Sequence, residues 1–421
     1  MSFFSRRGFF KTAGQGLGLL ALSPQLLSRT ANAAGTAMAS ATSSIPFFGK
    51  YQAGITTPQQ VHTYFISFDL KAASRDEVID LMKVWTEIAA RLTKGQAAAP
   101  AEKDLTKPGT DTGEAAGLGP ARLTLTFGFG PGLFSSKDGK DRYGLLKHKP
   151  AALADLPKFH GDQLIEEKSG GDLSIQACAD DPQVAFHAIR QLARAAGEHV
   201  ETRWVQSGFL SGGADGSTPR NLMGFKDGTQ QPASAVHDRF VWADKEGPAW
   251  MHNGTYLVTR KIRVALEHWD RTEVDFQQEV IGRHKDTGAP LGKKRERDPL
   301  DLERTNSEGN LVIPDTAHVR LAAAASNEGA QILRRGYSYN DGVSFVAERW
   351  PPWHQGMEYD AGLFFIGYQT DPRTSFVKIF GNLAKIDALN QFATHITSGL
   401  FACPPGVQKG EYIGQKLFTA T

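Results

Sequence analysis

Asp172-Leu173-Ser174-Ile175-Gln176-Ala177-Cys178 reads as a buried strand, and Asp181-Pro182, just beyond it, reads as the start of a helix. Asp is a favoured N-cap because its carboxylate accepts from amides left unpaired in the first turn, and proline suits the first helical position. Val184, Ala188, Ile189, Leu192 and Ala193 then recur at helical spacing and give that helix one apolar face. Upstream, Val61-His62-Thr63-Tyr64-Phe65-Ile66-Ser67-Phe68 is rich in β-branched and aromatic residues, the composition of a strand. Ser74-Arg75-Asp76-Glu77 is a capping box, followed by Val78, Leu81, Met82, Trp85, Ile88, Ala89 and Leu92 at helical spacing. Arg122-Leu123-Thr124-Leu125-Thr126-Phe127 alternates as a second strand, and Arg203-Trp204-Val205-Gln206 reads as a closing one. The order β-α-β-β-α-β is that of a ferredoxin-like sheet with helices on one face. The Ala/Gly/Pro/Lys-rich stretch 96–120 reads as an exposed excursion from it.

A similar order begins again downstream, with a strand at 255–264, a helix at 271–281, a strand at 363–368 and a helix at 375–383. A long charged excursion, 282–308, interrupts this second half. The fold class expected is therefore α+β, built from two ferredoxin-like halves at 56–215 and 216–421, with a flexible leader at 34–55. A chain of 421 residues is long enough for two such halves and a substantial core.

The first 33 residues belong to neither half. Ser5-Arg6-Arg7-Gly8-Phe9-Phe10-Lys11 precedes a short apolar run and then Ala31-Asn32-Ala33, which together read as a twin-arginine export signal. The run is too short and too interrupted to span a bilayer. A periplasmic location follows, reached in the folded state. Without these residues the balance is 43 Lys and Arg against 45 Asp and Glu, so charge gives no reason to expect nucleic acid as a partner. Cys178 and Cys403 lie far apart and read as two buried thiols rather than a disulfide framework.

Between the halves lies Gly224-Phe225-Lys226-Asp227-Gly228-Thr229, two glycines around one carboxylate. Asp-Gly alone is a common turn signal. Glycine beside a polar side chain also lets backbone approach a flat ligand closely. His318 precedes Ala322-Ala323-Ala324-Ala325, and a neutral imidazole among small residues is what an axial haem ligand requires. Arg334-Arg335 leaves an apolar strand, and alternation along a strand lets only one of the two point inward. By spacing alone, each of these residues has an ordinary structural reading as well.

Several segments together resemble the dye-decolourising (DyP-type) haem peroxidases. Gly224-Phe225-Lys226-Asp227-Gly228 matches that family's GxxDG motif. The likeness continues through 124–134, 175–182, His318-Val319-Arg320-Leu321, Leu333-Arg334-Arg335-Gly336-Tyr337-Ser338-Tyr339 and 398–406. With the export signal, the chain is similar to the deferrochelatase/peroxidase branch that accompanies the Efe ferrous-iron uptake system. The resemblance implies a dimeric α+β-barrel peroxidase fold holding one haem b per chain. His318 would be the proximal ligand to the haem iron, Asp227 the distal acid-base residue and Arg334 the distal arginine. Gly228, Thr229, Gln230, Ala323, Ala324, Ala325 and Arg334 would line the haem. Asp387 would orient the proximal imidazole. Where family members often carry Asn-Pro-Arg, this chain has Ala323-Ala324-Ala325, which moves the propionate-binding role to Arg320.

The expected partners are H₂O₂, haem and reducing substrates, with other components of the Efe system, a homodimeric assembly and no membrane span. Proton transfer at peroxide suits a carboxylate, whose reference pKa of about 3.9 favours work in acid unless burial raises it. Three functions remain open at this point: a haem peroxidase, an enzyme that takes iron from haem and leaves the tetrapyrrole intact, and a haem carrier without turnover.

Overall fold

The computed structural model describes residues 42–212, 217–244, 247–347 and 355–420. The proposed export signal and the expected boundary near residue 215 lie outside the described residues.

The first half forms as its caps and periodicity dictate. Strand β1 (His62–Leu70) leads to α1 (Arg75–Leu92), where Ser74 Oγ accepts the Glu77 amide at 3.2 Å. Glu77 reaches back to the amide of Ala73, one residue beyond the box partner. Strands β2 (Thr124–Phe129) and β3 (Leu173–Ala179) follow. The Asp181 carboxylate caps α2 (Pro182–Ala196) through the amides of Gln183 and Val184, and β4 (Val200–Phe209) closes the unit. The strands lie in the order β2-β3-β1-β4, all antiparallel, as a ferredoxin-like unit requires.

The second half repeats the pattern. Strands β5 (Thr255–Val264), β7 (Tyr337–Ala347), β8 (Gln355–Gln369) and β9 (Ala393–Cys403) are ordered β9-β5-β8-β7, with a two-residue strand β6 (Leu333–Arg334) beside β8. Single pairings, Phe129 with Ala402 and Phe209 with Ser338, join the two sheets at both edges and close a barrel. Closure removes the unpaired edges that would otherwise template aggregation. Alternate residues point inward. Phe65, Trp204, Tyr337, Tyr339, Phe364, Tyr368 and Phe401 fill the interior with Cys178 and Cys403, both free thiols. Outward residues such as Ile66 and Phe68 pack instead under α1 and α2.

The second half departs from expectation in three places. The helix expected at 271–281 is α4 (Val274–Ile281), which starts three residues later, and a short helix that was not expected, α3 (Leu266–Asp270), precedes it. Glu273 is extended between them, and the Gln277 side-chain amide donates to the carbonyls of Trp269 and Thr272, which satisfies the broken turn. The strand at 363–368 runs back to Gln355, and β9 was not read as a strand. Helix α4 ends at Gly282 (φ +89°), where an added Cβ would lie 2.5 Å from Val319 Cγ2. Only glycine lets this helix end pass so close to α5 (His318–Ala322), the short helix that opens on His318. Helix α6 (Phe376–Ile386) then delivers Asp387 at its C-terminal end. No described helix is long and apolar enough to cross a membrane.

Candidate active site

The turn in the glycine-bracketed loop is not where Asp-Gly would put it. A bridge between Arg220 and Lys226 closes a tight hairpin, with the Asn221 side-chain oxygen accepting the amides of Met223 and Phe225. Gly224 (φ +84°) supplies the left-handed corner. Asp227 lies beyond that turn, its amide donating to Pro219 O at 2.8 Å. Phe225 anchors the hairpin, buried in edge-on contact with Trp269, whose indole N–H donates to Met223 O. A buried aromatic therefore fixes the backbone two residues before the carboxylate.

Asp227 Oδ1 accepts from Arg334 Nη1 at 3.0 Å, and both side chains remain about 30% exposed, at 29% and 31%. Arg334 Nη2 donates to Gln230 O. Gln231 holds the arginine's backbone on both sides, its amide nitrogen donating to Arg334 O and its oxygen accepting Arg334 N. Arg335 turns the other way. It is buried and donates to Thr57 O and Gln60 Oε1. Strand alternation thus separates the pair as the sequence requires, and Arg334 is the one that meets Asp227.

His318 Nδ1–H donates to Asp387 Oδ2 at 2.7 Å. The other carboxylate oxygen of Asp387 accepts the Leu389 amide at 2.9 Å, so this buried acid is fixed at both ends. Burial works against the imidazolium, but the Asp387 carboxylate more than offsets it, and the His318 pKa is raised. Arg334 lowers that pKa and Asp227 raises it, so both groups act electrostatically on the same imidazole.

The residues present fit a haem. With Nδ1 committed to a carboxylate, the tautomer leaves the lone pair on Nε2, the arrangement of a metal-binding histidine. The His318 side chain is 33% exposed while its partner Asp387 is 3% exposed, so the imidazole is open where its support is not. Ala323 and Ala324 beside it are half-buried, whereas Ala325 is exposed. Gly228 (φ +118°) has only Thr218 Cγ2 within 4 Å of an added Cβ, so its need for glycine is conformational. Gly228 and Thr229 are half-buried and Gln230 is exposed.

Arg320, the expected propionate ligand, is held along one edge of its guanidinium by backbone carbonyls. Its Nε donates to the carbonyls of Ile313 and Pro314 and its Nη2 to those of Leu302 and Ile313. These bonds tie the excursion and α5 together, and no described contact brings this side chain to Asp227 or Arg334.

Sequence reading missed Gln231 and Glu296. Glu296 lies in the charged excursion and accepts from Lys226 Nζ at 2.8 Å, with Thr218 and Thr229 hydroxyls on its other oxygen. Burial opposes its ionisation, but these donors outweigh it and hold the carboxyl down at about 2, against a usual value of 4.5. A folded-state pKa below the unfolded one means the stabilisation is complete above the unfolded value and disappears as pH falls through the folded one. The shift corresponds to about 3 kcal/mol. The stability difference between wild type and Glu296→Gln, measured by urea unfolding, should therefore shrink as pH falls from about 5 to about 2. A difference independent of pH would contradict this pairing.

The comparisons with known proteins meet this geometry from outside. A family model described as Dyp-type peroxidase, N-terminal, matches residues 52–210, and its C-terminal counterpart matches 218–408. The chain belongs to the Dyp-type peroxidase family. It is 39% identical to a dye-decolorizing peroxidase of Thermobifida fusca over 383 residues, covering 87% of this chain and 83% of that protein. It is 35% identical to a deferrochelatase of Escherichia coli over 431 residues, covering 98% of this chain and 96% of the relative. The solved structure of ferric DtpA from Streptomyces lividans superposes with a TM-score of 0.81 at 41% identity, over 90% of this chain and 98% of that one. The protein is accordingly a haem peroxidase with haem b as cofactor, folded as an α+β, ferredoxin-like barrel.

Proposed function

We propose that His318 is the axial ligand and that Asp227 and Arg334 form the catalytic pair on the peroxide side. The observation that carries this reading is the presence of two hydrogen-bonded pairs, His318–Asp387 and Asp227–Arg334, that act on one imidazole. Haem b supplies the iron that binds peroxide and the electrons that reduce it. Gly228, Thr229, Gln230, Ala323, Ala324 and Ala325 would form its close wall.

The protein's own part is proton handling and orientation. Peroxide must lose a proton from its near oxygen and gain one at its far oxygen before the O–O bond splits to release water. The Asp227 carboxylate takes and returns that proton at Oδ1 or Oδ2, and Arg334 holds its orientation and stabilises negative charge on the departing oxygen. Asp387 keeps the His318 Nδ1–H fixed, which orients the imidazole and raises its donor strength. Arg334 does both of its jobs from a backbone locked by Gln231.

The second activity we infer is release of iron from haem with the tetrapyrrole left intact, in the service of iron acquisition. The deferrochelatase relatives support it, one of them, from Escherichia coli, matching 98% of this chain. The adjacent arginines Arg6-Arg7 and Ala31-Asn32-Ala33 support export to the periplasm by the twin-arginine route, with mature halves near 56–215 and 216–421. We carry forward a homodimer acting beside an Efe-type ferrous-iron importer. The test for iron release is recovery of protoporphyrin IX by its fluorescence after incubation with haem. Appearance of the free porphyrin is expected; iron lost only together with ring opening would overturn the reading. A pure carrier is disfavoured because carriage needs neither the Asp227 carboxylate nor its pairing with Arg334.

A further inference from the structure

The charged excursion 282–308 contains no helix or strand, yet it is fixed in place. Arg283 is buried, and its Nη1 donates to the carbonyls of Gly288 at 2.7 Å and Glu296 at 2.9 Å. Arg304 Nη1 donates to Gly292 O, and Arg320 ties Leu302 to the helix of His318. The excursion in turn lies against the Asp227 hairpin. Arg220 donates to the carbonyls of Gly224, Lys285 and Asp286, and an added Cβ at Gly288 would come within 2.7 Å of Lys226 Cδ.

The contacts converge on one carboxylate. Glu296 Oε1 accepts from Thr218 Oγ1 at 2.5 Å and from Thr229 Oγ1 at 3.0 Å, and Oε2 accepts from Lys226 Nζ at 2.8 Å. Lys226 immediately precedes Asp227 and Thr229 follows it by two residues, while Thr218 adjoins Pro219, which accepts the Asp227 amide. The Lys226 and Glu296 side chains are 17% and 16% exposed, sheltered enough for the ion pair to hold a geometry.

We propose that Glu296 is a positioning residue for Asp227, a clamp that grips the loop on both sides of the acid-base carboxylate and sets where it stands over the haem. The proposal rests on the acid-base role assigned to Asp227. Arg334 meets the Asp227 carboxylate directly, whereas Glu296 holds the side chains of Lys226 and Thr229 on either side of it in sequence. A displacement of about 1 Å at a reacting group costs up to about 100-fold in rate, so a loosened loop is read in kinetics before it is read in folding.

Three haem-loaded variants, Glu296→Ala, Glu296→Gln and Lys226→Met, are compared with wild type and Asp227→Asn in four measurements. These are the rate of reaction with H₂O₂, the rate of cyanide binding, the haem dissociation constant by Soret titration, and hydrogen exchange of the 224–231 amides. Cyanide enters as HCN and must give its proton to a base near the iron, so its binding reports the position of that base without turnover. The expected result is that Glu296→Ala and Lys226→Met each slow peroxide and cyanide together by about 10-fold. Haem affinity should stay within twofold and loop exchange should rise. Glu296→Gln keeps an acceptor for the threonines and should fall between. If Asp227→Asn is slow while the clamp variants react like wild type, the clamp is overturned. Loss of haem affinity in step with the rates overturns it too, since that marks a merely structural role. If Asp227→Asn itself reacts at the wild-type rate, the acid-base reading fails, and the hydrogen-exchange result still decides whether Glu296 holds the loop.

Discussion

Asp227→Asn should slow the reaction with H₂O₂ by about 10²–10⁴-fold, the range that general acid-base catalysis contributes, while the protein keeps its haem. The substitution suits the geometry. Asn retains an oxygen able to accept from Arg334 Nη1, now at 3.0 Å, so the loop has no cause to move. The hairpin below it depends on Phe225, Gly224 and the Asn221 cap, none of which the change touches. What is removed is the capacity to take a proton from the near peroxide oxygen and return it to the far one. Stopped-flow mixing of the haem-loaded variant with peroxide measures the loss, and dye oxidation under steady state should fall with it. A variant that reacts at the wild-type rate would mean that another group carries the proton.

The second large effect is expected at His318. His318→Ala removes the nitrogen that Asp387 orients, and haem retention should fall sharply. Asp387→Asn provides the graded companion. It keeps a side chain able to accept from His318 Nδ1 and from the Leu389 amide but lacks the charge that raises the imidazole's basicity. Loss of a carboxylate behind a metal-bound histidine typically costs 10–100-fold in affinity, so haem binding should weaken by about that factor, and by more in His318→Ala. If the two variants bound haem as wild type does, the axial assignment would fail.

Much of this was legible in the sequence, for physical reasons that differ from element to element. Asp181 and Ser74 announce their helices because an N-cap is a local transaction between a side chain and amides two or three residues on. Strand alternation separated Arg334 from Arg335 without any knowledge of the partner strand. Helix α3 went unread because five residues are too few for an apolar period, and the Gln277 bonds that join it to α4 leave no periodic trace. Strand β9 went unread by pattern, since Ala393-Thr394-His395-Ile396-Thr397-Ser398-Gly399 carries mixed small and polar residues and pairs on both sides only in the closed barrel.

The site divides in the same way. Asp227, His318 and Arg334 were found through a resemblance carried by short motifs, and the fold pairs Asp227 with Arg334. Asp387 lies 69 residues from His318, and only the path of α6 past α5 makes them neighbours. Arg320 shows the limit of proximity along the chain. Two residues after the histidine, it donates to the carbonyls of Leu302, Ile313 and Pro314. Glu296 had no signal at all, since a carboxylate in a charged run looks solvated until the fold shows what it grips.

Titration of the haem-free chain with haem, followed at the Soret band, bears on the whole account at once. The account predicts saturation at one haem per chain for wild type and for Asp227→Asn, and loss of that tight phase in His318→Ala. Saturation of His318→Ala at the wild-type concentration, or no Soret band in the wild-type protein, would contradict it.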